Sequence, residues 1–154
     1  MTLGDARALA EALLARHGLG GWSFAFDRAR RRLGSCHPTQ RRITLSAPLT
    51  LLNGEDVVRD TILHEIAHAL TPGDGHGAAW RTACRRVGAK PERCAGDGEV
   101  ALPPAPYALV CDRCGARYGR YRRTRGRYAC GRCRAAAGVE APLRWARGDA
   151  VTRR

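Results

Sequence analysis

The chain has 154 residues, of which 44% are hydrophobic and 27% charged, and its formal net charge at pH 7 is +13. This length accommodates one ordinary hydrophobic core and a small metal-stabilised module, but not two large domains. Neither a membrane span nor a secretory signal peptide is recognisable in the sequence, so we expect a cytoplasmic protein, associated with the nucleoid if the organism is prokaryotic, with no membrane partner.

Helical and extended patterns alternate through the first half of the chain. Residues 3–17 carry apolar side chains at three- and four-residue steps and predict an amphipathic core helix. Residues 22–27 alternate aromatic with small or polar side chains, as a half-buried strand does. Residues 30–33 and 41–45 are predicted as further strands, forming a hairpin or meander at a sheet edge.

The next predicted helix contains an HExxH pattern, in which His64 and His68 flank Glu65. Apolar residues continue the helical spacing on both sides of the motif, and Asn53 is placed to cap the helix. Two histidines four positions apart lie on one face, where both imidazoles can bind the same zinc ion. Glu65 is not a ligand and can act as the base that takes a proton from a zinc-bound water. The alternative is a helix whose histidines only pack in the core.

A third zinc ligand is predicted at His76. The loop 71–75 contains Pro72 and two glycines, which end the helix and permit a sharp reversal of the chain. Three protein ligands leave the fourth position open to water, as a catalytic zinc requires. The competing interpretation of His76 is an N-terminal helix residue with a surface role. Another helix is predicted over residues 77–87.

Two CxxC pairs predict a second zinc site, bound by Cys111, Cys114, Cys130 and Cys133. The Pro-rich segment 101–106 separates them from the first module, so we predict domains at 1–104 and 105–140, followed by a basic tail at 141–154. Disulfides are disfavoured because nothing indicates secretion, and redox use would not need a second pair. The expected cofactors are therefore two Zn²⁺ ions, one catalytic and one structural.

Cys36, Cys84 and Cys94 remain unpaired in this scheme. Unpaired thiols in a reducing compartment are more often small buried apolar residues than nucleophiles. His37 follows Cys36, but adjacency in sequence does not create a catalytic dyad.

Positive charge is concentrated in the second module. Residues 105–154 carry 13 arginines against three acidic residues, whereas residues 1–104 carry 14 basic against 11 acidic residues. Such a field attracts polyanions, and arginines interleaved with rings suit single-stranded or distorted DNA. The predicted DNA contacts are Arg117, Arg120, Tyr121, Arg122, Arg123, Arg125 and Arg127.

We predict that these residues lie on a hairpin between the two CxxC pairs. Alternation would then place Arg117, Tyr121 and Arg123 on one face, and Tyr118, Arg120 and Arg122 on the other. Two other interpretations compete: the tyrosines may only pack the ribbon core, and the excess of arginine, 26 against one lysine, may reflect codon composition.

The metal motif resembles that of a known family. His64–His68 followed by Gly75-His76-Gly77 and Trp80 is similar to the SprT-like zinc metallopeptidases, a group that includes Spartan-type proteases acting on proteins crosslinked to DNA. The resemblance covers residues 1–140, and residues 34–36 and 42–46 are similar to the strands that precede the active helix in that family.

The metzincin pattern fits less well, since it requires glycine in place of Thr71 and histidine in place of Asp74. The SprT-like resemblance implies a ribbon after the protease domain and, as substrates, proteins bound or crosslinked to DNA.

The predicted fold is α+β: a zincin-like metalloprotease domain with a small antiparallel β-hairpin sheet, followed by a C-terminal zinc ribbon. The predicted function is a monomeric zinc-dependent endopeptidase that cleaves DNA-bound or DNA-crosslinked proteins. A non-catalytic DNA-binding or transcription-associated zinc protein is the alternative, although a structural site has no use for Glu65. A zinc hydrolase with a non-peptide substrate shares the same site pattern.

Overall fold

The computed structural model describes residues 1–92 and 100–148, and the chain divides into two compact units, Met1–Leu102 and Pro103–Arg154. The described residues combine helices with small sheets, and the second unit contains the four-cysteine cluster. The predicted α+β class with a C-terminal zinc ribbon is confirmed. Among the described helices, none has both the length and the apolar character that crossing a membrane requires.

Helices supply most of the core of the first unit. They are α1 (Leu3–Arg16), α2 (Ala47–Leu52), α3 (Glu55–Leu70) and α4 (Ala78–Val87). The side chain of Thr2 accepts a hydrogen bond from the Asp5 N–H and so caps α1, while α4 ends at Gly88, whose φ of +86° suits glycine. Apolar residues of α1, α3 and α4 pack together in one cluster, in which the side chain of Trp80 is completely buried.

The sheet of the first unit is mixed. Its strands β1 (Ser23–Asp27), β2 (Gly34–His37) and β3 (Arg42–Ser46) lie in the order β1-β3-β2. Strands β2 and β3 pair in antiparallel fashion, but β1 pairs with β3 in parallel. This register aligns Phe24 with Ile43, so two apolar side chains face the same core.

The prediction of a strand over residues 30–33 is wrong, because the strand begins at Gly34. The preceding residues form a loop that is held at both ends. The Asp27 carboxylate accepts a hydrogen bond from the Ala29 N–H at 2.8 Å, and the Leu33 carbonyl accepts one from the Ser46 N–H at 2.8 Å. The second contact, which joins residues distant in sequence, fixes the point at which β2 begins.

The predicted capping role of Asn53 is also wrong. Gly54 is the N-cap of α3, and Asn53 ends the unpredicted helix α2. The buried Asn53 amide donates hydrogen bonds to the carbonyls of Leu49 and Ala101 at 2.8 and 3.0 Å, and accepts one from the Ala101 N–H at 2.8 Å. It therefore holds the end of the first unit's chain against α2.

The second unit is a three-stranded antiparallel sheet with one short helix. Its elements are β4 (Tyr107–Cys111), β5 (Arg117–Arg120), α5 (Gly131–Ala137) and β6 (Leu143–Arg147), with strand order β5-β4-β6. The first CxxC pair lies in the turn between β4 and β5, where Gly115 has φ +69°. The second pair lies at the start of α5, with Cys130 as the N-cap.

Two predictions about this unit need correction. The segment 141–154, predicted as a tail, contributes strand β6 at Leu143–Arg147, because these residues pair with β4; residues 149–154 lie outside the described part. The predicted arginine hairpin is not formed either. Only Arg117–Arg120 is a strand, and it pairs with β4 upstream, so the expected alternation of faces does not continue to Arg123.

Candidate active site and second metal centre

Helix α3 and the loop after it bring three imidazoles to one point. The Nε2 atom of His64 lies 3.2 Å from that of His68 and 3.4 Å from that of His76. A tetrahedral ion with Zn–N bonds of about 2.05 Å holds two ligand nitrogens about 3.3 Å apart. The three histidines therefore have the spacing of zinc ligands, and the sequence placed each of them correctly on a helix or at the end of the loop.

The imidazoles of His64 and His68 are held in the neutral form that binds metal. Burial lowers the pKa of His64 to about 4, and the neighbouring His68 and His76 act in the same direction. The pKa of His68 is also lowered, first by burial and then by His76. Near neutral pH both side chains thus carry a free lone pair, and a metal ion does not have to displace a proton from either of them.

Trp80 forms the floor of this site. Its ring centroid lies 4.8 Å from that of His64, 5.3 Å from that of His68 and 4.5 Å from that of His76. The Trp80 backbone N–H donates to Asp74 Oδ2 at 2.8 Å, so the loop that carries the third histidine is tied to the first turn of α4. One residue of α4 therefore positions ligands from both the helix and the loop.

Glu65, which follows His64 in α3, is buried, with 8% of the residue exposed. Burial raises its pKa to about 7, against the lowering effects of the Arg32 charge and of a hydrogen bond from the Cys36 backbone N–H. A carboxylate with a pKa near neutrality can both accept and return a proton, which suits general base and acid catalysis. The effects of Arg32 and Cys36 on this pKa could not be found from sequence, because both residues come from a distant loop and strand.

The leftover cysteines do not form a nucleophilic centre in the described residues. Burial raises the pKa of the Cys36 thiol to about 12, and the nearby Glu65 acts in the same direction. The buried Cys84 has its pKa raised to about 11, again first by burial. Both side chains are therefore protonated thiols near neutral pH, as expected for small apolar residues. Cys94 lies outside the described residues.

The four cysteines of the two CxxC pairs form a second cluster. Cys111 Sγ lies 3.7 Å from Cys133 Sγ, and Cys114 Sγ lies 3.6 Å from Cys130 Sγ. Thiolates on a tetrahedral zinc with bonds of about 2.3 Å stand about 3.8 Å apart, whereas disulfide-bonded sulfurs are about 2.0 Å apart. The spacing suits a metal and excludes disulfides among these four sulfurs.

The hydroxyl of Tyr118 contacts this cysteine cluster. Its hydroxyl lies 3.3 Å from Cys130 Sγ, and this hydrogen bond is the main cause that lowers the pKa of the Cys130 thiol. The half-buried Tyr118 ring packs with Leu143 against the cysteines. The interpretation of this tyrosine as a packing residue of the ribbon therefore describes it better than a role in base stacking does.

The predicted DNA-contacting residues differ in exposure. The arginine side chains of the loop between the metal-binding pairs are exposed, whereas Arg120 is half-buried. Tyr121 is also half-buried, and its hydroxyl donates to the Pro103 carbonyl. The exposed arginines of the predicted set are Arg117, Arg122, Arg123, Arg125 and Arg127.

An aromatic cluster that the sequence interpretation missed lies beside these arginines. The ring of Trp145 on β6 is 6.5 Å from Tyr107 and 6.2 Å from Tyr128, both in edge-on geometry, and the Arg123 guanidinium lies 5.6 Å from the Trp145 centroid. Tyr107 pairs across the sheet with Arg120 and with Arg147, so these side chains share a face. The only sequence signal was alternation over residues 143–147, too short to distinguish a strand from a tail.

Comparisons with known proteins found a matching family model and similar solved structures. The family model described as the SprT-like family matches residues 7–98, which is more than half of the chain. Among solved structures, the metallopeptidase zymogen jannalysin of Methanocaldococcus jannaschii is similar over 53% of this chain and 80% of its own, with 16% identity and a TM-score of 0.48. None of the curated proteins matches the chain.

Proposed function

We propose that this chain, which belongs to the SprT-like family, is a zinc-dependent endopeptidase that associates with DNA and cleaves proteins bound or crosslinked to it. The observation that carries the peptidase assignment is the set of three imidazole nitrogens at zinc-ligand spacing, next in sequence to a buried carboxylate. A core histidine cluster without a metal would have no reason to adopt this spacing.

The residues divide the chemistry between them. His64, His68 and His76 would hold a zinc ion, which would supply a Lewis acid for the scissile carbonyl and lower the pKa of bound water to about 7. Glu65 takes up a proton from the attacking water and delivers it to the leaving amine, for which a pKa near neutrality is suited. Trp80 holds the three imidazoles in place beneath this centre.

The peptidase proposal is tested by Glu65→Gln. The substitution keeps the shape of the side chain and removes the base, so cleavage of a protein attached to single-stranded DNA should fall by about 10²- to 10⁴-fold. Zinc content and DNA affinity should not change. The matched control is Glu55→Gln, because Glu55 lies exposed in the first turn of the same helix.

The outcome that contradicts the peptidase proposal is a zinc-loaded wild-type protein that cleaves neither itself nor a DNA-attached protein, with or without DNA. If DNA binding persists in that experiment, the non-catalytic DNA-binding function takes its place.

DNA association is supported by the ribbon's charge and by its aromatic cluster. The half-buried Trp145 and the exposed Tyr107 lie close to Arg123 and to the strand arginines. Rings can stack on the bases of a single strand while guanidinium groups contact its phosphates. Binding to DNA would then raise the local concentration of any protein attached nearby, so that substrates are selected by place rather than by peptide sequence.

Two variants separate stacking from charge. Trp145→Ala should weaken binding of single-stranded DNA by about 1–3 kcal/mol, with little change in its salt dependence. Arg122→Ala combined with Arg125→Ala should instead lower the slope of log K against log salt by about 0.7 for each phosphate that the protein no longer neutralises. Arg16→Ala, in the exposed last turn of α1, is the control arginine.

Titrations of a labelled oligonucleotide at several salt concentrations measure both quantities. If DNA binding by the wild type does not depend on salt, or if neither ribbon variant changes the affinity, the ribbon is not the DNA-binding element.

A further inference from the structure

The loop between α3 and α4 folds around Asp74. The Asp74 carbonyl accepts a hydrogen bond from the Gly77 N–H at 3.0 Å, which closes a four-residue turn with His76 as its third residue. Gly75, the second residue of the turn, has φ +61°, a conformation that glycine adopts without steric penalty. The third predicted zinc ligand is therefore carried by a tight turn that begins at Asp74.

The side chain of Asp74 reaches across the same turn to helix α4. Its Oδ2 accepts a hydrogen bond from the Trp80 backbone N–H at 2.8 Å. Trp80 is the third residue of α4, so its N–H is one of the donors that an N-cap side chain ordinarily satisfies. The N-cap residue Gly77 has no side chain, and Asp74 takes over this role. The helix dipole also favours a carboxylate at this end of α4.

The Asp74 carboxylate fills the space where a side chain at Gly77 would lie. A Cβ atom added to Gly77 would stand 2.6 Å from Asp74 Oδ1, 2.7 Å from Oδ2 and 2.8 Å from Cγ. The backbone of Gly77 is extended, with φ −75°, so its conformation does not require glycine. The missing side chain at Gly77 therefore leaves the room that Asp74 needs to reach the Trp80 N–H.

His76 differs from the other two histidines in what holds its backbone. His64 and His68 stand on helix α3, whereas His76 lies in the loop beyond it, and a site on a loop needs support to be placed precisely. The His76 ring centroid lies 4.5 Å from that of Trp80, the residue whose N–H bonds to Asp74. Asp74 precedes His76 by two residues and is bonded to two residues that follow it. The backbone on both sides of His76 is thus closed at two points.

We propose that Asp74 is a positioning residue for the third zinc ligand. Asp74 is not a member of the three-histidine cluster, and it acts by holding the turn that carries His76 against the first turn of α4. Its effect on catalysis rests on the proposed peptidase function. Its effect on zinc binding can be measured without any substrate.

The central test is Asp74→Ala in the full chain with zinc retained in the ribbon. The affinity of the histidine site for zinc should fall by about 10- to 100-fold, as for other residues that orient metal ligands. Asp74 is exposed, so its truncation opens no cavity in the core. Asp74→Asn keeps an oxygen that can accept from the Trp80 N–H, and it should restore most of the lost affinity. Competition with a chelator compares both variants with the wild type.

Thr2→Ala controls for the loss of a helix cap alone. The Thr2 hydroxyl accepts a hydrogen bond from the Asp5 N–H at 3.1 Å and caps α1, so both variants should lower the free energy of unfolding to a similar extent. Only Asp74→Ala should change the visible absorption spectrum of Co²⁺ bound at the histidine site, because only this variant alters the ligand geometry. If Asp74→Ala has the wild-type spectrum and the wild-type zinc affinity, Asp74 only caps α4 and the proposal is overturned.

A second variant, Gly77→Ala, disturbs the same contact without changing Asp74. The added Cβ would displace the carboxylate, so zinc affinity and the Co²⁺ spectrum should change as they do in Asp74→Ala. Gly54→Ala is the matched control, because Gly54 is the N-cap of α3 and a Cβ there meets nothing within 4 Å. Wild-type zinc affinity in Gly77→Ala would overturn the proposal, even if Asp74→Ala does not fold.

Failure of this proposal and failure of the peptidase function give different results. If Asp74→Ala loses zinc affinity but the zinc-loaded wild type cleaves no protein, the positioning role stands and the peptidase function is wrong. If the wild type cleaves a DNA-attached protein and Asp74→Ala binds zinc as tightly as the wild type does, the peptidase function stands and the positioning role is wrong.

Discussion

The indole of Trp80 stacks on the imidazole of His68, with ring centroids 5.3 Å apart and ring planes inclined by 25°. The other two histidines meet the same indole more nearly edge-on, at 67° for His64 and 84° for His76. Trp80 is completely buried, and no described residue accepts a hydrogen bond from its indole Nε1–H. An unpaired buried donor destabilises the fold, so the favourable contribution of Trp80 comes from the packing of its ring against the ligands.

The first prediction concerns this packing. Trp80→Ala should lower the free energy of unfolding by about 3–5 kcal/mol, because it opens a cavity beneath the histidines. Zinc affinity should fall by about 10- to 100-fold, as for residues that orient metal ligands. Trp80→Phe keeps a ring and removes the unpaired N–H, so its effects should be smaller in both respects. Chemical denaturation and competition with a chelator give the two quantities.

Trp22→Ala is the control for Trp80. Trp22 packs against the same core from the start of the sheet and makes no ring contact with the histidines in the described part of the chain. Its loss should reduce stability without altering zinc affinity. Equal effects of both tryptophan variants on zinc affinity would show that Trp80 acts only through global stability.

The second prediction is the number of metal ions. We expect two zinc ions per chain, because two separate ligand clusters have zinc-ligand spacing. His64→Ala with His68→Ala should leave one ion, and so should Cys111→Ser with Cys130→Ser. Elemental analysis of protein purified in reducing buffer measures this.

The two sites should differ in what their loss does to the chain. A ribbon without its ion has only a small apolar cluster around its cysteines, so the cysteine variant should unfold the second unit. The histidine variant should keep its fold, since the first unit has a larger core. A wild-type stoichiometry of one, or disulfides among the four ribbon cysteines in reducing buffer, would contradict the two-site assignment.

The third prediction concerns pH. Burial alone would raise the pKa of Asp27, but hydrogen bonds from the Ala29 N–H and the Thr44 hydroxyl, together with the Arg32 charge, lower it below its usual value. A carboxyl with a lowered pKa in the folded state stabilises the fold above its unfolded pKa of about 4, and this contribution is lost as pH falls through the folded value. These contacts also hold the loop that leads into β2.

Asp27→Asn should therefore be less stable than the wild type by about 1–2 kcal/mol at pH 7, and the difference should shrink below about pH 4. Urea denaturation of both proteins across this range measures the difference. Asp56→Asn, at an exposed position in the first turn of α3, should change stability by less than about 0.5 kcal/mol at either pH. If the difference in unfolding free energy between Asp27→Asn and the wild type grew on acidification, the assignment of the Asp27 partners would be wrong.

Predictions from sequence succeeded where the determining pattern is local. The spacing of His64 and His68 follows from the helical repeat, and the end of α3 follows from Pro72 and the loop glycines. They failed where a distant contact overrides the local pattern. Asn53 has the chemistry of a helix cap, but bonds to Ala101 occupy its side chain. The segment containing Trp145 is short and basic, and pairing with β4 makes it a strand.

The amino-acid sequence by itself determined the family, the α+β class, and which histidines and cysteines gather into two clusters, because helical periodicity and tight CxxC turns depend only on neighbours along the chain. Only the tertiary structure decided that β1 lies parallel to β3, that Trp80 underlies three imidazoles, and that Gly34 of β2 lies close to Glu65. These relationships join residues separated by many positions in sequence. They depend on how strands and helices pack against one another, which no local pattern specifies.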